Sequence, residues 1–367
     1  MKILFALYHD FTANSALHVC QLASELTALG QDCTVAVPNG KESAVVLPRR
    51  DFAEVDFAEA LAGQWDVVHA WTPREVVRQF CSDLRERSPF RLFVHLEDNE
   101  TYLLARMVGD GNEKVPDGLA HPQRSRELLD RADGITVVIG RLAEFAPAGV
   151  PVLELPPSCD QILFTRRPRN LALREQLRIA PETTVLAYTG NVHEANVGEV
   201  RSLYLAAALL NREGVSTVLI RSGKDYVAVG DDVLRKSAVE LGRVEYAEIP
   251  GILAAADFLV QPGRPGVFND YRLPSKLPEF FSAGRPVILP ASNLGLEVRH
   301  GEEAWVLPKA DAVSIAEAIH FLRADQQLCR RLGEGARRFF EQRPTWASNA
   351  RKLLDFYAAG QRSASSN

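Results

Sequence analysis

Short apolar runs alternate with longer amphipathic stretches along nearly the whole chain. Residues 3–8 read as a buried strand, a polar turn follows, and Leu17, Cys20, Leu22, Ala23 and Leu26 recur at helical spacing within 16–29 before Gly30 stops the helix. Residues 33–37 are the next strand. This β-α-β unit is the opening of a doubly wound parallel sheet. A further strand, 66–71, ends in polar and aromatic residues; a helix at 74–87 and a strand at 90–95 come next. Glu97, Asp98 and Glu100 follow that strand directly, so acidic groups gather where parallel sheets usually take their ligands. Residues 132–138 and 152–155 close this half.

The irregular stretches Pro156-Pro157-Ser158 and 166–170 predict a domain boundary. The alternation then restarts with a strand at 184–188, a turn at 189–191, a helix at 198–212 and a strand at 217–221. Residues 242–244 read as a short strand or loop, Ile249-Pro250 opens a helix at 251–256, and 258–260 is a strand. A strand at 304–307 and a helix at 313–322 precede a last helical region. The expected organisation is an N-terminal Rossmann-like domain at 1–158, a second at 159–343, a helix at 344–360 returning to the first, and a disordered Ser-rich tail at 361–367. The fold class is therefore α/β, with two Rossmann-like domains facing a central cleft, a common place for ligands.

Composition narrows the classes. At 367 residues, two domains are the prior. A formal net charge of -5 gives no reason to expect nucleic acid as a partner. Cys20, Cys33, Cys81, Cys159 and Cys329 form no metal-type or paired spacing, which suits a reducing cytoplasm. The first apolar run is too short for a signal peptide and none is long enough to span a bilayer. The arginine-rich helix at 74–87 also carries Glu75, Asp83 and Glu86, the balance of a solvated helix; peripheral contact with the inner face of the membrane stays open.

The chemistry concentrates at residues 269–288. A loop ends at Pro274, Ser275 is a natural N-cap, and a short helix runs to Gly284 with Pro286 beyond it. Lys276 in the first turn opposes the helix dipole unless an anion sits nearby. Lys276 and Glu279 share one face opposite Leu277 and Phe281, which reads as a surface ion pair or as a paired cation and carboxylate for a ligand.

The pattern from Pro274 to Val287, Pro-Ser-Lys-Leu-Pro-Glu-Phe-Phe-Ser-Ala-Gly-Arg-Pro-Val, resembles the donor-site signature of GT-B fold retaining glycosyltransferases of the glycosyltransferase family 4 group. Ala132 to Val138 with Gly149-Val150-Pro151-Val152, Tyr188-Thr189-Gly190, and Ile249 to Asp257 resemble other segments of that family. The resemblance implies a hexosyltransferase-like enzyme. It moves a sugar, with retention, from a UDP- or GDP-sugar to a glycan, lipid-linked or small-molecule acceptor, without an essential metal or a tightly bound cofactor. It gives Glu279 the ribose, Ser275 and Lys276 the diphosphate with Arg272 assisting, Arg243 and Val244 the base, and Asn14, Ser15 and Gly190 places in the donor loops. His95 matches the family's central histidine at the sugar and reacting groups; the other reading is a hydrogen-bonded core histidine.

The sequence also departs from the pattern. Tyr271 stands where the family often has its first glutamate, with Asp270 beside it, so either residue meets the sugar. Asn191 and Asn196 fall where basic residues are usual, leaving Lys276, Arg272, Arg221 and Lys224 to supply positive charge. Asn14-Ser15 replaces a glycine pair. Two other readings follow: a non-catalytic partner of an active transferase, and a sugar-nucleotide epimerase on the same fold.

Overall fold

The computed structural model describes residues 1–38, 51–108 and 115–364. The chain divides into two compact units. The N-terminal unit comprises Met1–Pro157, Tyr271–Leu273 and the chain from Pro344; the C-terminal unit comprises Ser158–Asp270 and Pro274–Arg343.

The N-terminal unit is built on strands β1 (Lys2–Leu7), β2 (Asp32–Val37), β3 (Ala53–Asp56), β4 (Val67–Trp71), β5 (Arg91–Leu96), β6 (Gly134–Val137) and β7 (Val152–Glu154). Their order is β3-β2-β1-β4-β5-β6-β7, every pairing parallel, with Phe5 opposite Val35 on one side and His69 on the other. Strands covered on both faces are apolar throughout, and Ile3 to Leu7 are all buried. The helix Asn14–Ala28 lays Ala16, Val19, Cys20, Ala23 and Leu26 into this core. The final helix, Trp346–Ala364, adds Trp346, Ala350, Leu353 and Tyr357. Helical backbone thus extends through Ala364, where a disordered tail was expected from 361; its last residues, 365–367, lie outside the described ones.

The C-terminal unit repeats the plan with β8 (Thr184–Thr189), β9 (Thr217–Ser222), β10 (Ala238–Glu240), β11 (Phe258–Val260), β12 (Val287–Pro290) and β13 (Trp305–Leu307), ordered β10-β9-β8-β11-β12-β13 and parallel throughout. The helix Val197–Arg212 buries Val200, Leu203, Tyr204, Ala207 and Leu210 against it. The segment Gly242-Arg243-Val244 is loop, and the strand of that region is β10 just before it. In each sheet the strand order reverses once, at β1/β4 and at β8/β11. Loops leaving such a pair at the carboxyl end part in opposite directions and leave a crevice.

Candidate functional site

In the C-terminal unit, the chain leaving β8 turns at Gly190, whose φ of +150° suits glycine. This loop is stitched to the one after β9: the Gly190 N–H donates to Ser222 O (2.8 Å), Val192 N–H to Lys224 O (2.9 Å), and Lys224 N–H to Asn191 Oδ1 (2.8 Å). Asn196 Oδ1 accepts the His193 N–H at 2.9 Å while its Nδ2 donates to Asn191 O at 3.0 Å. The two asparagines found in place of basic residues therefore fasten the loop. Since the Gly190 N–H is already used, what this residue contributes is space. A Cβ there would lie 2.8 Å from Lys276 Cε, so the bare glycine lets the lysine stem pass and bring Nζ to 4.5 Å from the centre of the Tyr188 ring.

Lys276 and Glu279 belong to the short helix Leu277–Ser282. Lys276, and not Ser275, is its N-cap, without a side-chain capping bond; the Leu277 N–H closes a turn on Pro274 O at 3.0 Å and Pro278 takes the second helical position. Glu279 does not look outward as its helical face suggested. It is only 5% exposed, with the Tyr246 hydroxyl bonded to its carboxyl. Burial pushes this carboxyl up to about 8, against the opposing pull of the Lys276 charge and the Tyr246 hydrogen bond. Tyr246 is braced by an edge contact with Phe164 (centroids 5.2 Å apart), and the Phe164 carbonyl accepts the Ser282 hydroxyl at 2.6 Å.

Arg221 is already paired within the fold through one of its nitrogens. It is buried, its Nη2 lies 2.5 Å from Asp225 Oδ1 and 3.8 Å from Glu240 Oε1, and Arg235 binds the same two carboxylates. Lys224 is exposed over the Tyr226 ring. Arg243 is exposed and Val244 half-buried in the loop after β10. Asp270 Oδ2 accepts the Gly266 N–H at 3.2 Å and so closes its own loop.

Tyr271 and Arg272 pack within the N-terminal unit. The Tyr271 hydroxyl donates to Glu144 Oε1 (2.5 Å), its ring lies against Phe145 and under Arg141, and the charge of Arg272 acts on Asp98.

A second polar cluster stands at the β1/β4 reversal of the N-terminal unit. Asn14 is exposed at the start of its helix, whereas Ser15 is buried and its hydroxyl donates to Glu97 Oε2. The Trp71 indole N–H donates to Glu97 Oε1 at 2.8 Å, and His18 Nδ1 lies 3.3 Å from the same oxygen. Burial alone would raise the Glu97 carboxyl. The His18 contact, the neighbouring His95 ring and the Ser15 hydroxyl outweigh it and hold the group at about 2. The serine in place of a glycine thus has a defined task, to hold a carboxylate.

Alongside, Arg74 stacks on Tyr8 (3.9 Å) and bonds Glu100 (3.1 Å) and Asp98 (3.4 Å). Burial, offset in part by Arg74 and reinforced by Asp98, pushes Glu100 up to about 7. Sequence reasoning placed the acidic group here, but its partners Ser15, His18, Trp71, Arg74 and Tyr8 come from distant segments. Of these, Ser15 was signalled by the resemblance and Trp71 by the polar, aromatic ending of β4.

His95 lies on β5, two residues before Glu97. It is 1% exposed, its ring is stacked on Trp71 (centroids 3.8 Å apart, planes 21° apart), and its Nδ1 is 2.8 Å from Thr136 Oγ1. Burial lowers it to about 3, so the ring is neutral. This is the environment of a hydrogen-bonded core histidine, and any contact it makes with a ligand passes through Nε2, which has no hydrogen-bond partner among the described residues.

Residues 183–325 match the family described as Glycosyl transferases group 1. No curated protein sequence matches the chain. Among solved structures, sucrose-phosphate synthase from Thermosynechococcus elongatus is 17% identical with a TM-score of 0.77, covering 100% of both chains. HepE of Anabaena, solved in complex with UDP and glucose, is 15% identical with a TM-score of 0.76, over 98% of this chain and 99% of that one. WaaG, a glycosyltransferase involved in lipopolysaccharide biosynthesis, is 15% identical with a TM-score of 0.68, over 97% and 99%. At these identities the likeness is one of fold. The two parallel-sheet α/β domains match the fold of GT-B glycosyltransferase structures, as the signature at 274–287 led us to expect.

Proposed function

We propose that this chain is a GT-B glycosyltransferase that takes a sugar from a nucleoside diphosphate donor and retains its anomeric configuration. The observation that carries the reading is the buried carboxyl of Glu279 at the β8/β11 side of the C-terminal unit, with a cation three residues before it on a helix that starts there. A carboxylate accepts two hydrogen bonds from the vicinal hydroxyls of a ribose. Lys276 with Ser275 then meets the diphosphate, whose charge grows as the glycosidic bond breaks. Arg243 and Val244, in the loop after β10, lie against the base. The HepE structures with UDP and with UDP-glucose support uridine as that base.

Transfer in this reading is a front-face attack in which the leaving diphosphate takes the acceptor proton, so no covalent nucleophile is assigned. Asp270 meets the sugar hydroxyls on the donor side. Asn14 and the Ser15–Glu97 pair line the acceptor side, where a carboxylate kept ionised favours positive charge developing on the sugar ring. Tyr271 and Arg272 support that side through Glu144 and Asp98 rather than through the diphosphate.

The test is product analysis of the purified protein with UDP-glucose and GDP-sugars, with and without glycan or lipid-linked acceptors. Release of UDP together with an α-configured product supports the proposal. An inverted product refutes retention, a new nucleotide sugar formed without acceptor indicates an epimerase, and no turnover together with a stable complex with a related enzyme indicates a non-catalytic partner.

A further inference from the structure

Behind the Glu97 cluster runs a buried chain of hydrogen bonds that the proposed reaction does not use. The Tyr357 hydroxyl, on the final helix, lies 2.6 Å from His69 Nδ1; His69 Nε2 lies 2.9 Å from Thr136 Oγ1; and Thr136 Oγ1 lies 2.8 Å from His95 Nδ1. All four residues are at most 1% exposed. Burial lowers both imidazoles, His69 well below its usual range, so each carries one N–H. His95 Nε2 is buried and has no hydrogen-bond partner among the described residues.

Proton counting selects the direction of the chain. Thr136 has one hydroxyl hydrogen and can give it to only one ring. If it donates to His95 Nδ1, then His69 Nε2–H donates to Thr136, Tyr357 donates to His69 Nδ1, and the only group left unpaired is a His95 Nε2–H. If it donates to His69 instead, His95 Nδ1–H and His69 Nδ1–H point the other way. The Tyr357 hydroxyl hydrogen and the His95 Nε2 lone pair are then both stranded. Each stranded buried group costs free energy, so the first direction is favoured.

We propose that Tyr357, His69 and Thr136 are positioning residues that hold His95 in its Nε2–H form, so that the final helix sets the hydrogen-bond donor presented next to Trp71 and Glu97. The His95 ring is stacked on Trp71, and the Trp71 indole holds Glu97 Oε1, so the direction chosen at Tyr357 reaches the carboxylate through a ring plane as well as through the tautomer. Where a ligand oxygen enters this cluster, the unpaired N–H is the group it satisfies. The functional consequence rests on the reading of this cluster as the acceptor side; the tautomer does not.

Nitrogen-15 NMR of the full chain, labelled on histidine and tryptophan, tests it without any substrate. The wild type should show His95 protonated at Nε2 alone. In Tyr357→Phe the two directions strand equal numbers of groups, so His95 should become a mixture of both tautomers and the Trp71 indole N–H signal should shift. Thr136→Val should disconnect His95 from Tyr357, and Thr136→Ser should restore the wild-type pattern. A His95 protonated at Nδ1 in the wild type, or one unchanged in Tyr357→Phe, would overturn the inference. Should Thr136→Val not fold, Tyr357→Phe alone decides. If the protein transfers sugar, Tyr357→Phe should lose about tenfold in turnover, the scale of one hydrogen bond, with the donor KM unchanged.

Discussion

A carboxyl that is neutral in the empty protein and ionised in the complex must lose a proton when the nucleotide arrives. Glu279 is pushed up to about 8 by its burial, Lys276 and Tyr246 only partly opposing, whereas the ribose hydroxyls bind best to the ionised form. Below pH 8, each unit of pH therefore costs about tenfold in affinity for the ribose contact. Between pH 8, where half of the group is ionised, and pH 6 this amounts to roughly 50-fold, or about 2.3 kcal/mol. The diphosphate titrates in the same range, so the comparison must cancel it. We suggest calorimetric titration with UDP and with 2′,3′-dideoxy-UDP at a series of pH values. The ratio of the two affinities isolates the hydroxyls. It should rise about 50-fold from pH 6 to pH 8, flatten above about pH 9, and be flat throughout in Glu279→Gln. A ratio independent of pH in the wild type would refute the reasoning.

Other outcomes follow from the same structure. Because the folded-state value of Glu279 is raised from 4.5 to about 8, the stability it contributes is complete below about pH 4.5 and lost as pH rises through 8. Glu279→Gln should remove that loss and, in denaturant melts at pH 9, be the more stable protein by up to about 5 kcal/mol. Glu97 has the opposite sign: held at about 2 rather than 4.5, it contributes stability that is present above about pH 4.5 and lost as pH falls toward 2. Ser15→Ala, which removes one hydrogen bond to this charge, should cost about 1.5–3 kcal/mol at pH 7 and shift the acid transition upward. Gly223→Ala would place a Cβ 2.2 Å from Gly190 O at a φ of +123°. It should cost at least about 2 kcal/mol in thermal melts and loosen the loop against which Lys276 lies.

The alternating strands and helices were legible because parallel strands buried on both faces are uniformly apolar, as Ile3 to Leu7 and Phe258 to Val260 illustrate. The two strands that escaped notice, β3 and β10, lie at sheet edges. Their sequences Ala53-Glu54-Val55-Asp56 and Ala238-Val239-Glu240 carry the charges that edges tolerate and so resemble loops. Site residues were legible as a signature but not as an environment. Helical spacing put Lys276 and Glu279 on one face, yet whether that face meets water was decided by Tyr246 and Phe164, residues whose positions no local period reveals. Likewise the acidic run at Glu97 was visible, but the donors that hold it ionised come from Ser15, His18 and Trp71. The partners that the fold supplies to Arg221 and Tyr271, Asp225 and Glu144, were hidden for the same reason.

The central claim is that the surroundings of Glu279 form a nucleotide site, and the most direct measurement is a thermal-shift panel of UDP, GDP and ADP against the wild type and Glu279→Ala. A nucleotide that binds only the native state at 100 times its Kd adds about 2.7 kcal/mol of stability. We expect UDP to raise the melting temperature of the wild type and to leave that of Glu279→Ala, folded and melting cooperatively, where it was. Equal shifts in the two proteins, or no shift with any nucleotide, would contradict the account.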